Sequence, residues 1–263
     1  MDRPAPDRVL RATSVLLDLD GVLYVEDEPI AGAIEAVAAL RDHGLQLRFV
    51  TNTTSRPRRD ILARLQRLGM PVPERELVTP ARLAVEYCLA AGRRRALLLM
   101  RDEVKADFAG LQEVREGADV VVVGDLGEDF GYRVLNRAFR ELLAGAELVA
   151  LQKNRYWRGE NGLSLDAGPF VAALEYASGK TAAVVGKPEK EFFLLALKDL
   201  GDLKTQEVAM VGDDPEADVT GAKDAGLKGV QVKTGKYVAD AEIGGGADLV
   251  LESFAGLPEA LGL

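Results

Sequence analysis

The sequence predicts an α/β fold built on a mainly parallel sheet. Short apolar, β-branched runs alternate with helix-period segments along almost the whole chain, joined by short loops. Four of the runs also end in polar clusters, as strands of open parallel sheets do where they meet a ligand. In chain order the strand candidates are 15–20, 45–52, 96–100, 118–125, 146–152, 182–187, 207–214, 229–234 and 248–252. Amphipathic helices fill the gaps. Between the second and third strands, Ile61, Leu62, Leu65 and Leu68 form one stripe, with Ser55 as its expected N-cap and Gly69 as its end. His43 and Gly44 read as a helix C-terminus, and Cys88 as a small core residue.

A chain of 263 residues can bury one or two cores. Pro71, Pro73, Pro80 and the stretch "ASGKTA" at 177–182 mark hinges. They divide the chain into a discontinuous core, 1–78 plus 181–263, and an inserted α/β domain at 79–180. A formal charge of −9 argues against a nucleic-acid surface. One cysteine and one histidine exclude a disulfide framework and His/Cys zinc sites, and leave little room for a histidine-based triad. No apolar run reaches membrane-spanning length, and the N-terminal stretch lacks the apolar core of a signal peptide, so a cytoplasmic protein without membrane contact is expected.

The segment "VLLDLDGVLY" at 15–24 places two aspartates at the end of a hydrophobic strand, where an unpaired buried carboxylate is costly. Period-2 alternation sends Asp18 and Asp20 to the same side. Asp213, Asp214 and Asp218, in "GDDPEAD", can join them from a later strand. Carboxylates that close together raise one another's pKa unless a cation neutralises them, and an all-oxygen site suits Mg²⁺. Thr51 and Asn52, in "TNTT", offer a hydroxyl, an amide and backbone N–H groups before a helix. Lys187, in "GKP", supplies a positive charge for a phosphate. Together these residues describe phosphoryl transfer.

"DLDGVLY", "TNTT", "VGKP" and "GDDPEAD", in that order, resemble the four motifs of the haloacid dehalogenase superfamily, whose majority are Mg²⁺-dependent phosphatases. Thr51 follows Asp20 by 31 residues and Lys187 follows Thr51 by 136, a spacing similar to the NagD-like subclass, which carries a C2 cap between the second and third motifs. The resemblance implies a Rossmann-like core that performs the chemistry and a cap that selects substrate. It implies Asp18 as nucleophile and Asp20 as general acid and base. Mg²⁺ would be held by the Asp18 carboxylate, the Asp20 carbonyl and the Asp213 carboxylate. Asp214 and Asp218 would act through waters or orient Lys187, while Thr51, Asn52 and Lys187 hold the phosphate oxygens. The segment after Asp20 would form a flap. Caps of this type often form homodimers, so a homodimer through the cap is an expected partner arrangement beside a small phosphorylated molecule.

Within the inserted domain, 152–170 is polar, rich in glycine and carries the single tryptophan. As an exposed hairpin it would be structural. As a substrate-reading loop, the role the resemblance gives it, it makes Arg155, Tyr156, Trp157, Asp166 and Gly168 specificity candidates. Two other functions compete: a binding or regulatory protein that keeps the fold without turnover, and a metal-free dehalogenase. The intact acid set argues against the first, and the Asp20 and Asp213–Asp214 carboxylates argue against the second.

Overall fold

The computed structural model describes residues 10–159, 162–201, 203–236 and 246–263; the side chains of 157–159 and of 199 also lie outside the described set. The chain divides into two units, one formed by Met1–Thr51, Leu62–Val78 and Lys187–Leu263, the other by Asn52–Ile61 and Thr79–Gly186.

The first unit begins with β1 (Ser14–Asp18), β2 (Tyr24–Val25), β3 (Glu28–Pro29), α1 (Ala33–Asp42), β4 (Gln46–Val50), α2 (Arg58–Arg67), whose first turn counts with the second unit, and β5 (Leu77–Val78). The second unit contributes α3 (Pro80–Ala90), β6 (Arg95–Leu99), β7 (Gln112–Glu113), β8 (Val120–Val123), α4 (Tyr132–Leu143), β9 (Glu147–Ala150), β10 (Tyr156–Gly159), β11 (Gly162–Leu165), α5 (Ala167–Ser178) and β12 (Ala183–Val184). The first unit then resumes with α6 (Lys190–Leu197), β13 (Val208–Gly212), a π-helical turn at Pro215–Thr220, α7 (Gly221–Asp224), β14 (Lys228–Val232), β15 (Leu249–Leu251) and α8 (Leu257–Leu261).

In the first unit the sheet order is β15-β14-β13-β1-β4-β5, all parallel. Val15, Leu16 and Leu17 of β1 are fully buried, which is why the central strand reads as an unbroken apolar run rather than an alternating one. Helix α1 buries Ala33, Ala36, Val37 and Leu40, and α2 buries Ile61 and Leu65; each large side chain so covered contributes about 1.5–3 kcal/mol. β1 lies where the winding reverses, with β4 on one flank and β13 on the other. Ligands of such sheets bind at the carboxyl ends of the strands at that point.

The second unit has its own parallel sheet, β12-β9-β8-β6-β7. Leu97, Leu99, Val121, Val123, Leu148, Leu142 and Leu174 form its core against α4 and α5, and Phe130 stacks on Phe170 with centroids 3.9 Å apart. Cys88 is a free, buried thiol on α3. Strands β10 and β11 pair as a separate antiparallel hairpin.

Two local expectations are corrected. Strand β12 falls in the segment 181–263 that the sequence assigns to the core, yet Ala183 pairs with Val149, Val184 packs on the second unit's apolar cluster, and the first unit resumes only at Lys187. Ser55 does not cap α2: the helix begins at Arg58, and the Pro57 carbonyl accepts the Asp60 and Ile61 N–H groups. A proline supplies that carbonyl without adding an unpaired donor of its own. His43 is the C-cap of α1, as expected, with Nδ1 2.8 Å from the Ala39 carbonyl.

Candidate active site

The acids converge at the carboxyl ends of β1 and β13. Asp18 is the last residue of β1, Asp213 follows β13, and Asp218 lies in the π-helical turn; all three are buried. Their carboxylates each offer an oxygen within 4.8 Å of the others. Lys187 Nζ, itself buried, donates to Asp18 Oδ1 and to Asp218 Oδ1, both at 2.6 Å. A lysine and an aspartate 169 residues apart in sequence thus form a buried ion pair.

Burial pushes all three carboxyls up. Asp18 is raised by desolvation and by Asp213, against the opposing pull of Lys187. Desolvation pushes Asp213 to about 6, against a hydrogen bond from the Lys236 N–H, and takes Asp218 to about 6 against the pull of Lys187. For Lys187 burial favours the neutral amine, but Asp18 and Asp218 outweigh it and hold the ammonium above the ordinary lysine range. Three buried carboxylates face one directly bonded ammonium. An all-oxygen donor set with that excess of negative charge fits a hard divalent cation.

The side chains do not share these tasks equally. Asp218 is committed on both oxygens, Oδ1 to Lys187 and Oδ2 to the Asp214 N–H at 3.2 Å. Asp18 Oδ2 and Asp213 Oδ1 receive no hydrogen bond among the described residues. Asp214 stands apart: its Oδ1 caps the π-helical turn, accepting the Glu216 and Ala217 N–H groups at 3.1 and 3.0 Å, and its Oδ2 meets Lys236 Nζ at 3.3 Å. Those N–H groups and Lys236 overcome the burial that would raise its carboxyl and hold it below the usual range. Of the two aspartates left open by the sequence, Asp218 is the one on Lys187 and Asp214 is a helix cap.

Asp20 is exposed, two residues beyond Asp18, with fully buried Leu19 between them. Its carboxylate lies outside the Asp18–Asp213–Asp218 cluster, and its Oδ2 faces the Tyr24 hydroxyl at 3.4 Å. The segment that follows folds as the β2–β3 hairpin. Arg64 of α2 holds it, with its guanidinium 4.4 Å from the Tyr24 ring centroid, a hydrogen bond to the Glu26 carbonyl and an ion pair to Asp27 at 3.3 Å.

Thr51 is buried directly after β4, and its N–H donates to the Val78 carbonyl. Because α2 starts at Arg58, Thr51 and Asn52 do not form its N-terminus. In the second unit, Asp166 is the N-cap of α5, accepting from Ala167 N and Gln152 Nε2, and buried Gly168 donates its N–H to the Asn154 carbonyl. Both hold their own loop together. Arg155 and Tyr156 are exposed, and the Trp157 side chain lies outside the described residues.

Sequence reasoning gave no role to Gln231 of β14 or to the segment that follows the strand. Gln231 Nε2 donates to the Asp213 carbonyl at 2.7 Å, the Lys236 N–H donates to Asp213 Oδ2 at 2.8 Å, and the Thr234 hydroxyl donates to the Gly21 carbonyl. The available signal was "TGK" at the carboxyl end of the strand beside β13, the same edge that carries the acids.

A family model described as haloacid dehalogenase-like hydrolase matches residues 15–112, and a HAD-hydrolase-like model matches 184–257. The chain is 46% identical over 235 residues to haloacid dehalogenase-like hydrolase domain-containing protein 2 of Rattus norvegicus, covering 89% of this chain and 88% of that protein. It is 42% identical over 239 residues to phospholysine phosphohistidine inorganic pyrophosphate phosphatase of Bos taurus, covering 88% and 86%. The solved structure of p-nitrophenyl phosphatase from Archaeoglobus fulgidus superposes with a TM-score of 0.89 at 28% identity, over 95% of this chain and 100% of that one.

Proposed function

The chain belongs to the haloacid dehalogenase-like hydrolase family and is a phosphatase; on that premise we propose that it is a Mg²⁺-dependent enzyme hydrolysing small phosphorylated molecules through an aspartyl-phosphate on Asp18. The observation that carries the reading is the Asp18–Asp213–Asp218 cluster with Lys187 bonded into it at the ends of β1 and β13.

Asp18 is the nucleophile. Lys187, bonded to its Oδ1, orients the carboxylate for attack on phosphorus, which splits one hard displacement into two. Asp20, exposed and two residues on, protonates the leaving oxygen and then takes a proton from the water that hydrolyses the phosphoenzyme. Thr51, Asn52 and Lys187 hold the non-reacting phosphate oxygens as their charge grows. Asp18 and Asp213, each with an oxygen free of donors among the described residues, would hold Mg²⁺ together with the Asp20 carbonyl. When bound, the cation neutralises the carboxylates and draws charge from the phosphoryl group.

Phosphomonoesters, pyrophosphate and phospho-amino acids are the substrate classes this reading admits, in keeping with the phosphatases the chain resembles. The second unit is read as a C2 cap that selects among them through Arg155, Tyr156 and Trp157 and through which a homodimer forms. No nucleic acid or membrane enters the reading. No described helix is long and apolar enough to cross a membrane, and the proposed setting is the cytoplasm.

Turnover of p-nitrophenyl phosphate, then of a panel with pyrophosphate and phospho-amino acids, tests the reading. Activity should vanish in chelator and return with Mg²⁺. Equal turnover in chelator would overturn the metal assignment, and an inert protein across the whole panel would overturn the substrate class.

A further inference from the structure

Asp213 is gripped from four sides, and every grip comes from one of two short segments. Its carbonyl accepts from Gln231 Nε2, a buried amide on β14 whose Oε1 has no partner among the described residues. Its Oδ2 accepts the Lys236 N–H at 2.8 Å. The other two grips are glycines from opposite ends of the chain. A methyl group built on Gly21 would lie 2.1 Å from Asp213 Oδ2 and 2.6 Å from its Cγ. One built on Gly235 would lie 2.1 Å from the same oxygen and 2.6 Å from the Gly21 Cα. Both glycines have left-handed backbones, with φ of +81° and +70°, which β-carbon-bearing residues adopt only at a cost. The Thr234 hydroxyl donates to the Gly21 carbonyl and ties the two segments together.

We infer that Gly21 and the segment Gln231–Lys236 form a cradle that sets the rotation of the Asp213 carboxylate and thereby its affinity for the cation. The inference rests on the proposed Mg²⁺ site and assigns positioning residues to it. With Oδ2 held by a backbone N–H and enclosed by two glycines, Asp213 presents the cation with a single oxygen, Oδ1, in one orientation. Such fixing matters more for Mg²⁺ than for larger ions, because Mg²⁺ demands near-ideal octahedral geometry. A loose carboxylate would also be free to turn toward another donor. Supporting groups of this kind are typically worth about 10–100-fold in metal affinity.

The test is calorimetric titration of the full-length, metal-stripped protein with MgCl₂, for wild type, Gly235→Ala, Thr234→Val and Asp213→Asn. Gly235→Ala should weaken the Mg²⁺ dissociation constant by about 10–100-fold. Its melting temperature without metal should fall, because the added methyl meets the Gly21 Cα in a left-handed backbone, while a single cooperative transition, the check on folding, remains and p-nitrophenyl phosphate turnover returns at saturating Mg²⁺. Thr234→Val, which removes only the hydroxyl tie, should move the constant in the same direction by less. A Gly235→Ala constant within twofold of wild type, while Asp213→Asn no longer binds, would overturn the cradle and leave the metal site standing. Wild-type binding in Asp213→Asn would overturn the metal site itself. If Gly235→Ala does not fold, Thr234→Val decides: weakened binding supports the cradle, and an unchanged constant overturns it.

Discussion

The two units wind their sheets in the same way and use the result differently. In each, the first strand is paired on both sides, with the strands that follow it at once on one flank (β4 and β5, or β7) and the later ones on the other, so each has a reversal point, at β1/β13 and at β6/β8. At the first, the strand ends deliver Asp18 and Asp213 into a cluster with more carboxylates than ammoniums. At the second, the chain continues into Arg101 and Asp125, which satisfy each other. The Arg101 N–H donates to the Asp125 carbonyl at 3.0 Å, their side chains pair at 3.3 Å, and Asp125 Oδ1 also accepts the Gly127 N–H at 2.8 Å. Topology supplies a crevice in both units. Only the first carries buried charge that is left unbalanced, and that is where we propose the reaction site.

The sharpest way to break that contrast is Asp18→Asn. It should reduce p-nitrophenyl phosphate turnover by at least about 10⁴-fold and abolish any acid-stable phosphoenzyme, because it removes the proposed nucleophile. Near-normal turnover would return β1/β13 to the status of its counterpart. Asp20→Asn comes next, with a loss of about 10²–10⁴-fold. Since Asp18 remains and p-nitrophenol leaves with little protonation, phosphorylation should survive better than its hydrolysis, and mass spectrometry after a rapid acid quench should find the added phosphate on Asp18. An adduct on Asp20 would reverse the two roles.

A smaller effect is expected in the second unit. Trp157→Ala should change selectivity among natural substrates by about tenfold while altering p-nitrophenyl phosphate turnover far less, since the proposed catalytic residues Asp18, Asp20 and Asp213 belong to the first unit. Unchanged ratios across a substrate panel would make 152–170 a structural hairpin. Least of all is expected from Arg101→Ala. A half-exposed ion pair contributes at most about 1 kcal/mol, so thermal melting should shift slightly and turnover not at all. A tenfold loss of turnover there would show that the second crevice also takes part.

Both sheets were legible in the sequence because their strands are runs that alternate with amphipathic helices; "VLLD", "VVVV" and "VAMVG" all lie within strands expected from pattern alone. Leu77–Val78 and Gln112–Glu113 escaped because two residues carry no period. The allegiance of β12 escaped too, since an apolar run does not say which sheet it will join. At the site, the acids announced themselves through the cost of placing carboxylates at the end of an apolar strand. The division between Asp214 and Asp218 did not, because it depends on the π-helical turn, which turns Asp218 toward Lys187 and spends Asp214 on its own N–H groups. The Gly21–Gly235 contact was equally hidden, since the two lie more than 200 residues apart and meet only when β14 has taken its place beside β13.

The buried thiol of Cys88 gives the second unit a clock of its own. Burial, followed by the charge of Glu147, pushes its pKa up to about 11, so at neutral pH almost none of it is the reactive thiolate and no solvent reaches it. With no other cysteine in the chain, modification by a thiol reagent counts the openings of the α3 layer and nothing else. Labelling rates measured with and without a phosphorylated ligand would then report whether binding steadies the breathing of the second unit.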